Sequence, residues 1–211
     1  MGSPLWDQMW AVVEEQAPTV VEMGYRADQG DASAFFAARG FQKWFARDLM
    51  QYSGPWFPEL AVDVVTLEPR RVTGYMLAVN ECFWPLREAL DIKPYAPFPD
   101  TAFSDQLQRR LLEAGESTFL FLEDGKLAGS GAIEGPDFVD LVAVRPGYRR
   151  LGLGRSITQF CVNRLRRRGA QDVYTSVLEI NTGARLLYEG LGLDLVEPYE
   201  EARLWLARGT S

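Results

Sequence analysis

The stretch Val142-Ala143-Val144-Arg145-Pro146-Gly147-Tyr148-Arg149-Arg150-Leu151-Gly152-Leu153-Gly154-Arg155 decides how this chain is read. An apolar run closes on a proline, arginines and glycines follow, and an amphipathic run then starts. That order predicts a strand, a tight turn and the first turn of a helix. Gly152 and Gly154 let the backbone approach a ligand closely. Amide groups at a helix start favour an anion such as phosphate. Arg145, Arg149, Arg150 and Arg155 add charge and bidentate donors. Taken alone, the same residues also describe a surface turn with solvated arginines.

Composition narrows the choice. At 211 residues the chain holds one large domain, or one domain plus a fragment. Its formal charge of −7 argues against general nucleic-acid affinity, which needs a basic face. Yet Arg145 to Arg168 contains eight arginines and no acidic residue, a positive island suited to a compact polyanion. Histidine is absent, which removes Ser-His and Cys-His nucleophilic catalysis and most zinc chemistry, so no metal is expected. Cys82 and Cys161 are far apart, lie in apolar helical patterns, and read as buried free thiols of a reducing compartment. No leader pattern and no membrane-length apolar run is found, so a cytoplasmic location without membrane partners is expected.

Taken in order, Leu5 to Gln16 predicts a helix, Thr19 to Tyr25 a strand, and Asp31 to Arg39 a helix capped by Asp31 and stopped by Gly40. Phe41 to Tyr52 fits strand or helix, and Ser53 to Pro58 reads as a linker. A second series follows. Ala61 to Leu67 predicts a strand, Thr73 to Leu90 a helix, and the segment with Pro94, Pro97 and Pro99 a loop. Ser104 to Ala114 reads as a helix with Ser104 as N-cap. Thr118 to Leu122 and Leu127 to Ile133 form a hairpin around Asp124-Gly125. Phe138 to Val144 is the strand feeding the quoted loop. Gly152 to Arg168, Asp172 to Leu178 and Thr182 to Glu189 then predict helix, strand and helix. Leu193 to Val196 and Ala202 to Leu206 predict two closing strands. The result is an α/β domain with a mixed sheet.

Arg149-x-x-Gly152-x-Gly154 after Val142-Ala143-Val144, with Asn181-x-x-Ala184-x-x-Leu187-Tyr188-Glu189-x-Leu191-Gly192-Leu193 downstream, resembles the GNAT superfamily of N-acetyltransferases. The resemblance covers about Ala61 to Leu206. It implies a mixed, mostly antiparallel central sheet flanked by helices, with a V-shaped opening between the fourth and fifth strands. It also implies an enzyme that moves an acetyl or related acyl group from acyl-CoA to a primary amine by direct attack on the thioester. Acetyl-CoA is the implied donor. Its pyrophosphate would rest on the loop formed by Arg149, Arg150, Leu151, Gly152, Leu153, Gly154 and Arg155. Its pantetheine arm would pair with Val142, Ala143 and Val144, and Asn181 would contact the arm from the other side. Tyr188 would protonate the departing thiolate, a role a phenol can fill. A backbone N–H near Val142 or Val144 would meet the oxyanion. The alternative is an acyl-CoA-binding regulatory or structural protein without catalysis.

The pattern departs from the family at the base. Ser176 stands where the subset acting on protein N-termini carries glutamate, and Phe138 falls near the glutamate of the histone-lysine subset. Glu134, Asp140 and Glu179 remain as nearby carboxylates, and water serves equally. The acceptor wall is expected between Thr73 and Asp100 and from Leu193 onward, with Phe83, Trp84, Tyr95 and Phe98 lining it or packing a lid. Arg164, Arg166, Arg167 and Arg168 read as helix-end charges offsetting the macrodipole. The expected partner is a small-molecule amine or an amino terminus, with a homodimer admissible.

The N-terminal region carries a second resemblance. Aligning Gly40-Phe41 with Gly192-Leu193 sets Ala32 on Ala184 and Phe36 on Tyr188. Residues 1–60 are therefore expected to be a partial, degenerate GNAT-like half, with 61–211 the complete domain.

Overall fold

The structure, a computed structural model, describes residues 4–59, 61–99 and 105–206. The described helices are α1 (Pro4–Gln16), α2 (Gly30–Ala37), α3 (Val72–Ala89), α4 (Asp105–Glu113), α5 (Leu153–Arg167) and α6 (Thr182–Glu189). The strands are β1 (Val20–Arg26), β2 (Gln42–Tyr52), β3 (Val64–Thr66), β4 (Thr118–Glu123), β5 (Lys126–Glu134), β6 (Phe138–Val144), β7 (Val173–Leu178) and β8 (Asp194–Trp205). The chain divides into a smaller unit, 1–48 with 197–211, and a larger one, 49–196. It passes between them inside β2 and again inside β8.

In the larger unit the strands lie in the order β7-β6-β5-β4-β3. β3 to β6 pair antiparallel, and β6 pairs parallel with β7. β4 shows why the sequence builds two layers of helix. Phe119 and Phe121 pack with Ile157, Cys161, Val162 and Leu165 of α5, whereas Leu120 between them packs with Val72, Tyr75, Met76 and Val79 of α3. Strand alternation sends neighbouring side chains to opposite faces, so both faces of this sheet are apolar and both need a helix.

The segment expected to be a linker is fastened down. Asn163 of α5 accepts from the Phe57 amide at 3.1 Å and donates to the Phe57 carbonyl at 3.0 Å. The Phe57 ring stacks on Tyr52. One buried side-chain amide, both donating and accepting, thus holds an irregular stretch that sequence reads only as a break.

In the smaller unit Trp6, Trp10 and Val13 of α1 meet Val21, Met23 and Tyr25 of β1, together with Phe36, Phe41 and Leu204. β1 pairs antiparallel with β8 from Val20↔Trp205 to Arg26↔Tyr199.

Three expectations change. The stretch from Phe41 resolves as strand β2. Asp31 is not the cap of α2: Gln29 takes the N-cap position without a side-chain bond, and Asp31 sits in the first turn. The two closing strands are one, β8. Its polar middle looked like a break, but Glu197, Glu200 and Glu201 are paired with Arg26, Lys43 and Arg47. Pro198 precedes the first residue paired with β1, so it removes no donor from that ladder. The Ser104 cap lies outside the described residues.

Candidate functional site

The site is a fork. β6 and β7 pair at two positions, Phe138↔Tyr174 and Val139↔Thr175, and at none beyond. On its other side β6 stays paired with β5 as far as Gly129↔Val144. The Arg145 amide donates to Ala128 of β5 at 3.0 Å. Amide groups alternate sides along a strand, so those of Ala143 also turn to β5 while those of Val142 and Val144 turn into the fork. Of the three residues expected to meet an extended arm, two therefore offer backbone donors and acceptors. Arg149 already donates from Nε to the Val144 carbonyl at 3.0 Å.

The loop follows at once. Gly152 takes the N-cap of α5 with φ 83°, a left-handed conformation that glycine adopts without strain. Arg150 adopts φ 67°, a backbone state unusual for a side-chain-bearing residue and one that sequence does not announce. The Ser156 amide bonds to the Gly152 carbonyl. The amides of Leu153, Gly154 and Arg155, at the start of α5, have no carbonyl one turn back within the helix. Leu151 is 76% exposed, whereas Leu153 is buried in the core. A Cβ at Gly154 would lie 3.2 Å from Leu187 Cδ2, so its small size also admits α6.

The loop arginines have protein partners. Arg145 is ion-paired with Glu81 of α3 at 2.8 Å, which raises its pKa. Arg155 donates to the Gly190 carbonyl at 2.6 Å, tying the start of α5 to the end of α6. At the far end of α5, Arg164 lies over the Phe119 ring, Arg166 over Tyr52, and Arg167 pairs with Glu59. The helix is about 22 Å long at 1.5 Å per residue, so these charges stand well away from the loop.

α6 carries the other expected residues. Asn181 is its N-cap, and its Oδ1 accepts from the Ala184 amide at 3.2 Å. That bond leaves Nδ2 for any ligand. Tyr188 is 5% exposed and packs with the α5 side of the core. Desolvation raises its pKa from 10.0 to about 12, with the neighbouring Thr175 hydroxyl acting in the opposite direction. Thr175 in turn donates to the Val139 carbonyl at 2.9 Å, at the last paired position of the fork. Sequence analysis passed over Thr175; the only signal was a hydroxyl at a buried position of an alternating strand.

On the other side of the fork stand Asp140 and the α3 face. Tyr75 of α3 is buried, and its ring lies 5.9 Å from Phe98. Asn80 holds Phe98 by two bonds, donating to its carbonyl and accepting from its amide. Trp84 and Tyr95 meet edge to face. Both cysteines are free and buried, and burial raises the thiol pKa of each, that of Cys161 to about 12. Among the described residues no group of three or more potential ligands is placed to hold a metal, and no helix is long and apolar enough to cross a membrane.

The acetyltransferase (GNAT) family matches residues 83–193. The [ribosomal protein bS18]-alanine N-acetyltransferase of Escherichia coli K12 is 38% identical over 53 residues, 25% of this chain and 36% of that protein. The match thus spans about a third of the length of the curated relatives it meets. A GCN5-related N-acetyltransferase from Sphaerobacter thermophilus superposes with a TM-score of 0.68 at 21% identity, over 98% of this chain and 68% of that one. A tandem GNAT protein from the clavulanic acid biosynthesis pathway gives 0.60 at 17% identity, over 97% and 70%. These two likenesses bear on the fold alone. The family match covers more than half of the residues, and the chain belongs to the acetyltransferase (GNAT) family.

Proposed function

We propose that the protein is an N-acyltransferase that moves an acetyl or related acyl group from acyl-CoA to a primary amine by direct attack on the thioester. The observation that carries this reading is the fork, opening beyond Val139 and Thr175 with Tyr188 at its closed end and the glycine loop at its mouth. The pyrophosphate of the donor would rest on the amides of Arg150 to Arg155, with Arg149 beside them. The pantetheine arm would run along Val142 to Val144, and Asn181 Nδ2 would face it from α6.

In the transfer, the amine lone pair forms the C–N bond at the thioester carbonyl carbon. A fork-facing amide, of Val142 or Val144, stabilises the oxyanion. Collapse breaks the C–S bond, and Tyr188 gives its proton to the thiolate. A phenol held above its ordinary pKa keeps that proton until the thiolate begins to form beside it. The absence of histidine and the burial of both thiols leave no prepared nucleophile for a covalent acyl intermediate, which favours direct transfer.

The acceptor is an amine of a small molecule or a polypeptide amino terminus. The likeness to an enzyme named for an N-terminal alanine makes alanine-initiated peptides the first to try. A cytoplasmic location fits two free thiols. We also read residues 1–60 as a partial, degenerate repeat preceding the domain of 61–211. In support, α2 and α6 end alike: Gly40 and Gly192 have φ 84° and 85°, and Phe41 and Leu193 bond back to Phe36 and Tyr188. This half has no counterpart of the Gly152 loop, so one acyl-CoA is expected per chain, and Phe36 has no proton to give.

The test is release of free thiol from acetyl-CoA with small amines and with alanine-initiated peptides, the product checked by mass. Amine-dependent release is expected. Binding of acetyl-CoA without release across the panel would instead identify a regulatory acyl-CoA-binding protein.

A further inference from the structure

β6 contains one residue too many for its partner. Ala132 of β5 opposes Leu141 and the next residue, Ile133, opposes Val139, so Asp140 has no partner and forms a β-bulge. A bulge of this kind re-aims a side chain. Val139, Val142 and Val144 pack on the α5 side, whereas Leu141 packs with the α3 core. In a regular strand Val139 and Leu141 would share a face. The extra residue reverses the alternation and lets Asp140 accompany Leu141 toward α3.

The electrostatics agree with that placement. The charge of Asp140 reaches Tyr75 of α3 and raises the pKa of its phenol, behind the larger effect of burial. Asp140 is itself raised, chiefly by desolvation and then by Glu134 of β5. Its side chain is nonetheless open to solvent, so a substrate can reach it. Asp140 directly follows Val139, whose carbonyl accepts from Thr175, a neighbour of Tyr188. Tyr188 and Asp140 therefore flank the closed end of the fork, one on the α5 side of the sheet and the other on the α3 side.

We propose that Asp140 is the catalytic carboxylate of the acceptor side, receiving the amine and taking its proton as the C–N bond forms. The inference rests on the transfer reading above. The amine nitrogen gives its electron pair to the carbonyl carbon and its proton to Asp140; the sulfur leaves with the C–S pair and gains the proton of Tyr188. Solvent then carries a proton from Asp140 back to Tyr188, and the sum is amide plus free CoA.

Asp140→Asn keeps the shape and removes the base. With the best amine found for the wild type, kcat should fall about a hundredfold or more. The KM for acetyl-CoA and the melting temperature should hold, and the acid limb of the pH profile should be lost. Glu134→Gln, which removes a negative charge facing Asp140, should move that limb to lower pH. An Asp140→Asn enzyme within threefold of wild type, with an unchanged acid limb, would overturn the role of Asp140 and leave acyl transfer standing. A wild type that turns over no amine would sink both.

Discussion

Thr175 Oγ1 donates a 2.9 Å hydrogen bond to the carbonyl oxygen of Val139, across the last paired position of β6 and β7. The hydroxyl has one proton and gives it to Val139. Beyond this bond the two strands part. Thr175→Val should leave a buried carbonyl unpaired and cost about 1–3 kcal/mol, read by denaturant unfolding. Thr175→Ser should recover most of that loss and most of the activity.

Tyr188→Phe deletes one hydroxyl from a core position and keeps the ring, so the protein should fold. Under the proposed chemistry the leaving thiolate loses its proton source. We expect kcat to fall about a hundredfold, with acetyl-CoA affinity nearly unchanged by calorimetry. Undiminished kcat would remove Tyr188 from the mechanism.

Alkaline pH should weaken the fold through the same residue. The folded pKa of Tyr188 lies near 12 and its ordinary value at 10.0. Between these values the unfolded chain has released a proton that the folded chain keeps, so stability falls as pH rises. Tyr75 is displaced in the same direction. A melting series from pH 9 to pH 12 should show a shallower decline for Tyr188→Phe than for wild type (about 1.4 kcal/mol per pKa unit sets the scale).

Gly152→Asp sets a carboxylate at the mouth of the loop. No atom lies within 4 Å of a Cβ at this position, so the penalty is the left-handed backbone alone, about 1–2 kcal/mol. Acetyl-CoA binding should be abolished while the far-ultraviolet spectrum is retained. Wild-type affinity in this variant would dismiss the pyrophosphate assignment.

Much of this was legible because the signals were local. The loop announced itself by Gly152 and the arginines, the β4–β5 hairpin by Asp124-Gly125, and α6 by its closing glycine. What stayed hidden depends on partners distant in sequence. β8 was read as two strands because the partners of Glu200 and Glu201 lie in β2. Asp140 stood among three equivalent carboxylates until the register against β5 disclosed the bulge. Thr175 looked like an ordinary strand residue, since its meaning lies in Val139 and Tyr188. That Gly154 also makes room for Leu187 depends on the packing of α6.

Direct transfer within the fork is the claim most open to a single measurement. Excess enzyme is mixed with acetyl-CoA, quenched over time with and without amine, and assayed for CoA, acetylated amine and acetylated protein. The account predicts no CoA before amine is present, and CoA and amide appearing together in equal amounts afterwards. Stoichiometric CoA released without amine, with the acetyl group on the protein, would contradict it.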